Sequence, residues 1–330
     1  MIQILPALDD DLLLHLFRKG SRMDWNSDDF DWQAWEGIGE PQRRAAARII
    51  TPVYLGEQTA MLGGAAALKE VAAAHQTSAQ IYLASFVMDE ARHFEAMTRL
   101  YRQLGYDPVG IREMPEMLRY HHRLRQGDKL DWAWGILISD VFARHFYHAL
   151  IDRFPSTILG SLSQRIVVDE GRHQAFAQEY IRRALPALGP ERRRALLSMR
   201  DDLLRLISTM QRRLAPDGDV LGIDTRRLVD DFASEIEERT HRLGLPSSRP
   251  GEPPAPPPSR ATGGEPLSNA AAERVPPTSP ARPAAGSDGP RRPPSERTYR
   301  GPVRLVTRCA GCLLALWCRP ARPHPAPAPS

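Results

Sequence analysis

Residues 86–97 read FVMDEARHFEAM and residues 167–177 read VVDEGRHQAFA. The pentapeptide Asp89-Glu90-Ala91-Arg92-His93 thus recurs eighty residues later as Asp169-Glu170-Gly171-Arg172-His173. Around the first copy, Leu83, Phe86, Val87, Glu90, His93, Phe94 and Met97 recur at i, i+3 and i+4, the period of one helix face. A Glu and a His three residues apart on a helix occupy neighbouring points of that face. Each copy can therefore present a carboxylate and an imidazole to the same ion.

Four-helix di-metal carboxylate bundles use this Glu-x-x-His spacing twice and add one carboxylate from each of two further helices. Two candidates stand upstream of the repeats. Glu57 sits in YLGEQTAMLG (54–63) and Asp140 in LISDVFARHFYHAL (137–150), both inside apolar runs where an unpaired carboxylate is costly to bury. Glu70, beside Lys69, reads as solvated. The expected ligand set is therefore Glu57, Glu90, His93, Asp140, Glu170 and His173, with Ser139 as an alternative to Asp140 in another register. Asp89 and Asp169 are expected just behind the ligands, because a metal-bound imidazole donates its second N–H to an acceptor. They can do so across the bundle or as simple i, i+4 pairs within each helix. Arg144, one turn after Asp140, is expected nearby, as a partner for a substrate carboxylate or in a salt bridge to a ligand or to an acid just behind the ligands.

A lone Glu-x-x-His is a weak signal. The chain itself supplies an example in Glu238-Arg239-Thr240-His241, within SEIEERTHR, which reads as a solvated helix face. The paired Asp-Glu-x-Arg-His copies, each with an upstream carboxylate, are much more specific. Reading them only as structural salt bridges would leave six buried polar side chains unexplained.

The rest of the chain supplies the helices. Residues 40–74 are apolar nearly all round, as in a buried helix, and Pro52 within them predicts a kink or a break. Helical runs are expected over 75–105, 111–126, 130–154, 156–185, 191–214 and 225–243, with Gly105, Pro155 and Pro186 as stops. MDWNSDDFDW (23–32) reads as irregular. β-branched alternation is absent, so the expected class is all-α: a four-helix bundle with additional helices.

Residues 246–330 are different in kind. They carry 21 of the chain's 30 prolines, twelve arginines, no lysine and five acidic residues, which leaves residues 1–245 near −3 in a chain of net charge +4. The division expected is a folded domain over 1–245 and a disordered Pro/Arg/Ala-rich tail over 246–330. The basic excess belongs to the tail and gives the folded part no nucleic-acid-binding face. Cys309, Cys312 and Cys318 lie in the tail, where a single C-x-x-C pair is weak for zinc. With no disulfide framework in the folded part, no signal-peptide pattern and no apolar run of bilayer length, the sequence reads as cytoplasmic and not membrane-bound.

From about Met23 to Leu185, the order and spacing of MDWNSDDFDW, YLGEQTAMLG, FVMDEARHFEAM and VVDEGRHQAFA resemble the ferritin-like superfamily. Within it, they are most similar to the small subunit of class I ribonucleotide reductase and the related ligand-binding oxidases. The resemblance implies that Glu57 and Asp140 are terminal ligands, that Glu90 and Glu170 bridge or shift, and that His93 and His173 each cap one metal. It implies two iron ions, or one manganese and one iron, with O2 as co-substrate, in an oxidase or oxygenase acting on a small organic molecule. The electron donor is not named by it, and the chain is expected to form a homodimer. Alternatives are a reductase small subunit and a non-catalytic iron-binding protein. The chain departs from the pattern at four places. Met97 stands where the reductase has its radical tyrosine, and Asp140 where many members have Glu. Ala60 stands where the oxidases have the valine of a tyrosine–valine crosslink, and the tail is unlike the reductase docking peptide.

Overall fold

The computed structural model describes residues 5–8 and 10–245; the expected tail and its cysteines lie outside the described residues. Eight α-helices make up the described residues, with no strand among them: α1 (Asp11–Arg22), α2 (Glu40–Ala73), α3 (Thr77–Leu104), α4 (Pro115–Arg125), α5 (Lys129–Arg153), α6 (Ile158–Ala184), α7 (Pro190–Leu221) and α8 (Thr225–Arg242). Two hairpins, α2–α3 and α5–α6, face each other and form the four-helix bundle. Helix α4 crosses between them, while α7 and α8 lie along the outside and α1 rests on α3 and α6. The eighty-residue repeat is thus a repeat of hairpins.

Local chemistry sets the turns. Helix α2 closes with His75 in the left-handed region (φ 58°), its N–H bonded to Ala72 O and that of Gln76 to Val71 O. This is the Schellman arrangement, in a position that ordinarily takes Gly. Helix α3 closes on Gly105 (φ 78°). Helix α5 starts with Asp128 accepting from Leu130 and Asp131 N–H while Asp131 returns the bond, a capping box.

The hairpins press together over a seam that needs small residues. A Cβ at Gly63 of α2 would lie 1.9 Å from the Trp132 ring of α5. Gly63 and Gly64 leave no open space: the Trp132 ring fills the place beside the first and the Phe86 ring that beside the second. Buried Leu83, Phe86, Leu137, Ile138, Ile158 and Phe176 belong to the hydrophobic core.

Of the kink or break expected at Pro52, the break is absent: α2 runs continuously through it. The turn before it is held by two side-chain donors on Ala47 O, from Thr51 Oγ1 (2.8 Å) and the Tyr101 hydroxyl (2.8 Å). Helix α7 likewise continues past the expected end at 214, through Pro216, to Leu221. Helix α1 was not expected. Leu13, Leu16 and Gly20 are nevertheless its buried side, and Asp10 caps it by accepting from Leu13 N–H.

Candidate metal centre

Each of the four bundle helices brings one part of the site to the bundle axis. Glu57 comes from α2, Glu90 and His93 from α3, Asp140 from α5, and Glu170 and His173 from α6; all six are buried. Their donor atoms form two groups that share one residue: Glu57, Glu90, His93 and Glu170, and Asp140, Glu170 and His173. Within each group the donor atoms lie within 4.8 Å of one another.

Both imidazoles point the same nitrogen at the centre. His93 Nδ1 lies 3.2 Å from Glu57 Oε2 and 3.7 Å from Glu170 Oε1. His173 Nδ1 lies 3.1 Å from Glu90 Oε1, 3.7 Å from Glu170 Oε2 and 3.9 Å from Asp140 Oδ2. The far nitrogens are held by the aspartates of the opposite repeat: His93 Nε2 by Asp169 Oδ2 at 3.1 Å, and His173 Nε2 by Asp89 Oδ2 at 3.4 Å. Of the two arrangements the sequence allowed for Asp89 and Asp169, the structure has the one across the bundle. A carboxylate only accepts, so each Nε2 carries the proton. In the neutral tautomer, the Nδ1 lone pair is then directed at the centre.

Electrostatics makes the centre unbalanced as it stands. Burial, reinforced by the charge of Glu57, raises Glu90 well above the usual carboxylate range. Burial and Glu170 do the same to Asp140. Burial also raises Glu170. For Glu57 the burial penalty is outweighed by its bonds to His93, and it is lowered. Burial alone would lower both histidines, but the hydrogen bonds of His93 to Asp169 and Glu57, and for His173 the bond to Asp89 with the carboxylates of Glu170 and Glu90 close by, push them well above the usual range. Glu90 Oε2, Asp140 Oδ2, Glu170 Oε2 and His173 Nδ1 are all buried with no hydrogen-bond partner. Such orphans are expensive in a protein interior. Four carboxylates around two neutral imidazoles are the charge complement of two divalent cations. The donor set, carboxylate oxygen with imidazole nitrogen, suits iron and manganese, so the residues fit a di-metal group.

Several further side chains touch the cluster in ways that the sequence did not assign. Tyr147 on α5 donates its hydroxyl to Glu57 Oε1 at 2.6 Å and lies 3.6 Å from Met97 Sδ. Trp25 donates its indole N–H to Asp169 Oδ2 at 2.9 Å, and its ring stacks on His93 at 5.9 Å between centroids. The Trp/Asp composition of 23–32 was the available signal for it. Beside Tyr147 and Met97 lies a small cavity of about 10 Å³, lined otherwise by Ser163 and by aliphatic side chains such as Ile50, Leu159 and Ile166.

Arg144 is a correction. It does not lie behind the buried carboxylate–histidine cluster; it donates to both carboxylate oxygens of Glu235 on α8, at 2.6 and 2.5 Å. One turn beyond Asp140, the α5 surface faces α8 rather than the bundle axis, and Glu235 there also binds His145 and Arg239. Ser139 is bonded to Tyr120 at 2.7 Å, so Asp140 is the residue in register with the centre. Glu70 accepts from the Lys129 N–H at the start of α5 rather than being simply solvated. Glu238 and His241 are exposed, and Glu238 pairs with Arg242.

No protein-family model matches the chain. Its fold is similar to solved structures of R2-like ligand-binding oxidases. One, with an aerobically reconstituted Mn/Fe cofactor, has a TM-score of 0.59 and 18% identity, covering 71% of this chain and 93% of that one. Another, with an aerobically reconstituted metal cofactor after photoconversion, gives 0.59 and 17% over the same shares. A mutant with an Fe/Fe cofactor gives 0.58 and 15%, over 70% of this chain and 93% of that one. The chain has the all-α, ferritin-like fold of these oxidases, with a buried carboxylate–histidine cluster at the place where its four bundle helices meet.

Proposed function

We propose that this protein is an O2-using oxidoreductase whose resident cofactor is a pair of iron ions, or one manganese and one iron. Glu57, Glu90, His93, Asp140, Glu170 and His173 are the ligands in this reading. The observation that carries it is the convergence of four buried carboxylates on two imidazoles whose Nδ1 atoms face them, with three carboxylate oxygens and one imidazole nitrogen left without hydrogen bonds. The Mn/Fe and Fe/Fe cofactors of the structurally similar oxidases support the choice of metals.

When bound, such a pair supplies the electrons with which O2 is reduced. The protein's own part can be derived from its side chains. Asp169 and Asp89 hold the imidazoles in the tautomer that binds metal. Tyr147 fixes the orientation of Glu57 and stands where a proton can pass between its hydroxyl and that carboxylate. Trp25, Asp169 and His93 form a continuous hydrogen-bonded line from an indole to the centre. The mostly aliphatic wall on the Met97 side bounds a cavity of about the room of one water-sized molecule.

The test is metal content per chain after anaerobic loading, for the wild type and Glu90→Ala, followed by O2 uptake on exposure to air. Close to two ions per wild-type chain, a large loss in the variant and stoichiometric O2 consumption are expected. A wild-type chain that takes up neither iron nor manganese would overturn the reading.

A further inference from the structure

The two aspartates behind the imidazoles are joined to each other. Arg172 donates from Nη1 to Asp169 Oδ1 at 2.6 Å and from Nη2 to Asp89 Oδ2 at 2.8 Å. Asp169 holds His93 and Asp89 holds His173, so a single guanidinium stands between the two imidazoles through one aspartate on each side. Its repeat partner Arg92 is placed differently. Arg92 bonds Asp89 Oδ1 at 3.0 Å and Asp24 at 3.2 Å, and comes no nearer to Asp169 than 3.8 Å. Its side chain is 15% exposed, against 4% for Arg172. Arg92 clamps the outside of the site, and Arg172 braces the inside.

The brace is sealed from water by the N-terminal segment. Gly20 of α1 lies directly over the guanidinium, where a Cβ would sit 3.1 Å from Arg172 Nε. Three positions after α1, Trp25 gives its N–H to Asp169, the more buried of the two aspartates. In this dry setting, planar bidentate bonding holds both carboxylates in fixed directions. Those carboxylates in turn fix the two imidazole rings.

Resting on the di-metal reading above, we infer that Arg172 is a positioning residue that couples the loading of the two metal ions. An ion at one Nδ1 orders its imidazole and the aspartate behind it. The guanidinium then holds the second aspartate, and with it the second imidazole, in the orientation that the next ion needs. The chain therefore passes from the metal-free to the two-ion form with little of the one-ion form between. Glu170, which belongs to both donor groups, offers a rival route for such coupling. A change at Arg172 leaves Glu170 in place and separates the two.

The experiment is an anaerobic Mn(II) titration of the full chain followed by native mass spectrometry, which counts chains carrying no, one or two ions. It compares the wild type with Arg172→Lys, whose ammonium is a point charge without the planar fork, and with the neutral Arg172→Gln. Circular dichroism of each is recorded in parallel, so that loading is read from whichever variant keeps its helices. The expected wild type shows few one-ion chains at half saturation. The variants pass through a dominant one-ion form, with the second ion bound on the order of tenfold more weakly. A merely structural role would lower the melting temperature and leave the distribution of species unchanged. Two results overturn the inference: variants as cooperative as the wild type, which assigns the coupling to Glu170, or a wild type that loads stepwise. A wild type that binds no ion at all instead removes the di-metal reading beneath it.

Discussion

At the scale of the residue, the proposed centre sets protons against metal. In the metal-free chain, His93 and His173 hold their protons well above the ordinary histidine range, because Asp169 and Asp89 bond their outer nitrogens and carboxylates face their inner ones. An ion at Nδ1 must displace that proton. The sign follows from the raised direction: as pH falls toward and below the usual histidine pKa, the protonated form is favoured and the ion is lost. As pH rises, affinity grows by about tenfold per unit for each proton displaced. Anaerobic Mn(II) binding measured from pH 6 to 8 is expected to tighten steadily, and binding in weak buffer should release at least one proton per ion. Affinity that is flat over that range would mean that the imidazoles are not the ligands. Much of this was legible beforehand, because Glu-x-x-His spacing and the cost of burying a carboxylate name residues without needing coordinates. Arg144 was misplaced because spacing along one helix gives a face but not the neighbour of that face. Trp25 was marked only by the Trp/Asp composition of its segment, and nothing local tied Tyr147 to Glu57, since their partners lie 144 and 90 residues away.

At the scale of the element, propensity was overridden wherever packing decided. Pro52 and Pro216 stay inside continuous helices. Each removes one backbone donor, a loss that buried neighbours can offset. The converse holds at Gly63, where a helix-weakening residue is kept because the Trp132 ring fills its place. Alanine there gains about 1 kcal/mol in helix propensity. Its Cβ, however, would stand 1.9 Å from a buried indole that has Gly63 on one side and the bundle on the other. Overpacking of this kind costs about 1–3 kcal/mol or more, and the distance favours the upper end. Urea denaturation of Gly63→Ala is therefore expected to show net destabilisation and an α2–α5 separation that also weakens metal binding, since Glu57 and Asp140 lie on those two helices. Unchanged stability would show that Trp132 has somewhere else to go. Helix α1 escaped the sequence reading for an element-scale reason. It is short and its buried side only just spans Leu13 to Gly20: Leu13 and Leu16 join the core, while Gly20 covers the Arg172 guanidinium.

At the scale of the whole molecule, the change in composition at residue 246 coincides with the end of the described helices, Leu245 being buried and bonded through its N–H to Thr240 O. Every residue of the centre and of the network behind it precedes that point. A chain ending at Leu245 is therefore expected to keep its helical signal, its melting temperature and its metal stoichiometry. A chain ending at Gly222, without α8, is expected to fail. Val229, Phe232 and Ile236 are buried, with Phe232 packed edge-on against Phe142 of α5, and each is worth roughly 1.5–3 kcal/mol of burial. Their sum is comparable to the whole net stability of a domain. Helix α8 also supplies Arg239, which bonds Gln174 at 3.0 Å, and Gln174 in turn bonds the backbone carbonyl of Asp140 at 2.9 Å. Losing α8 should thus disturb the Asp140 side of the centre before the Glu57 side. Thermal melts and metal analysis of the two truncated chains separate these contributions. If the chain ending at Gly222 melts like the chain ending at Leu245, the outer helices are accessories to a self-sufficient bundle. If it melts far lower and retains the Glu57-side ion longer than the Asp140-side ion, the outer layer is part of what holds the centre together.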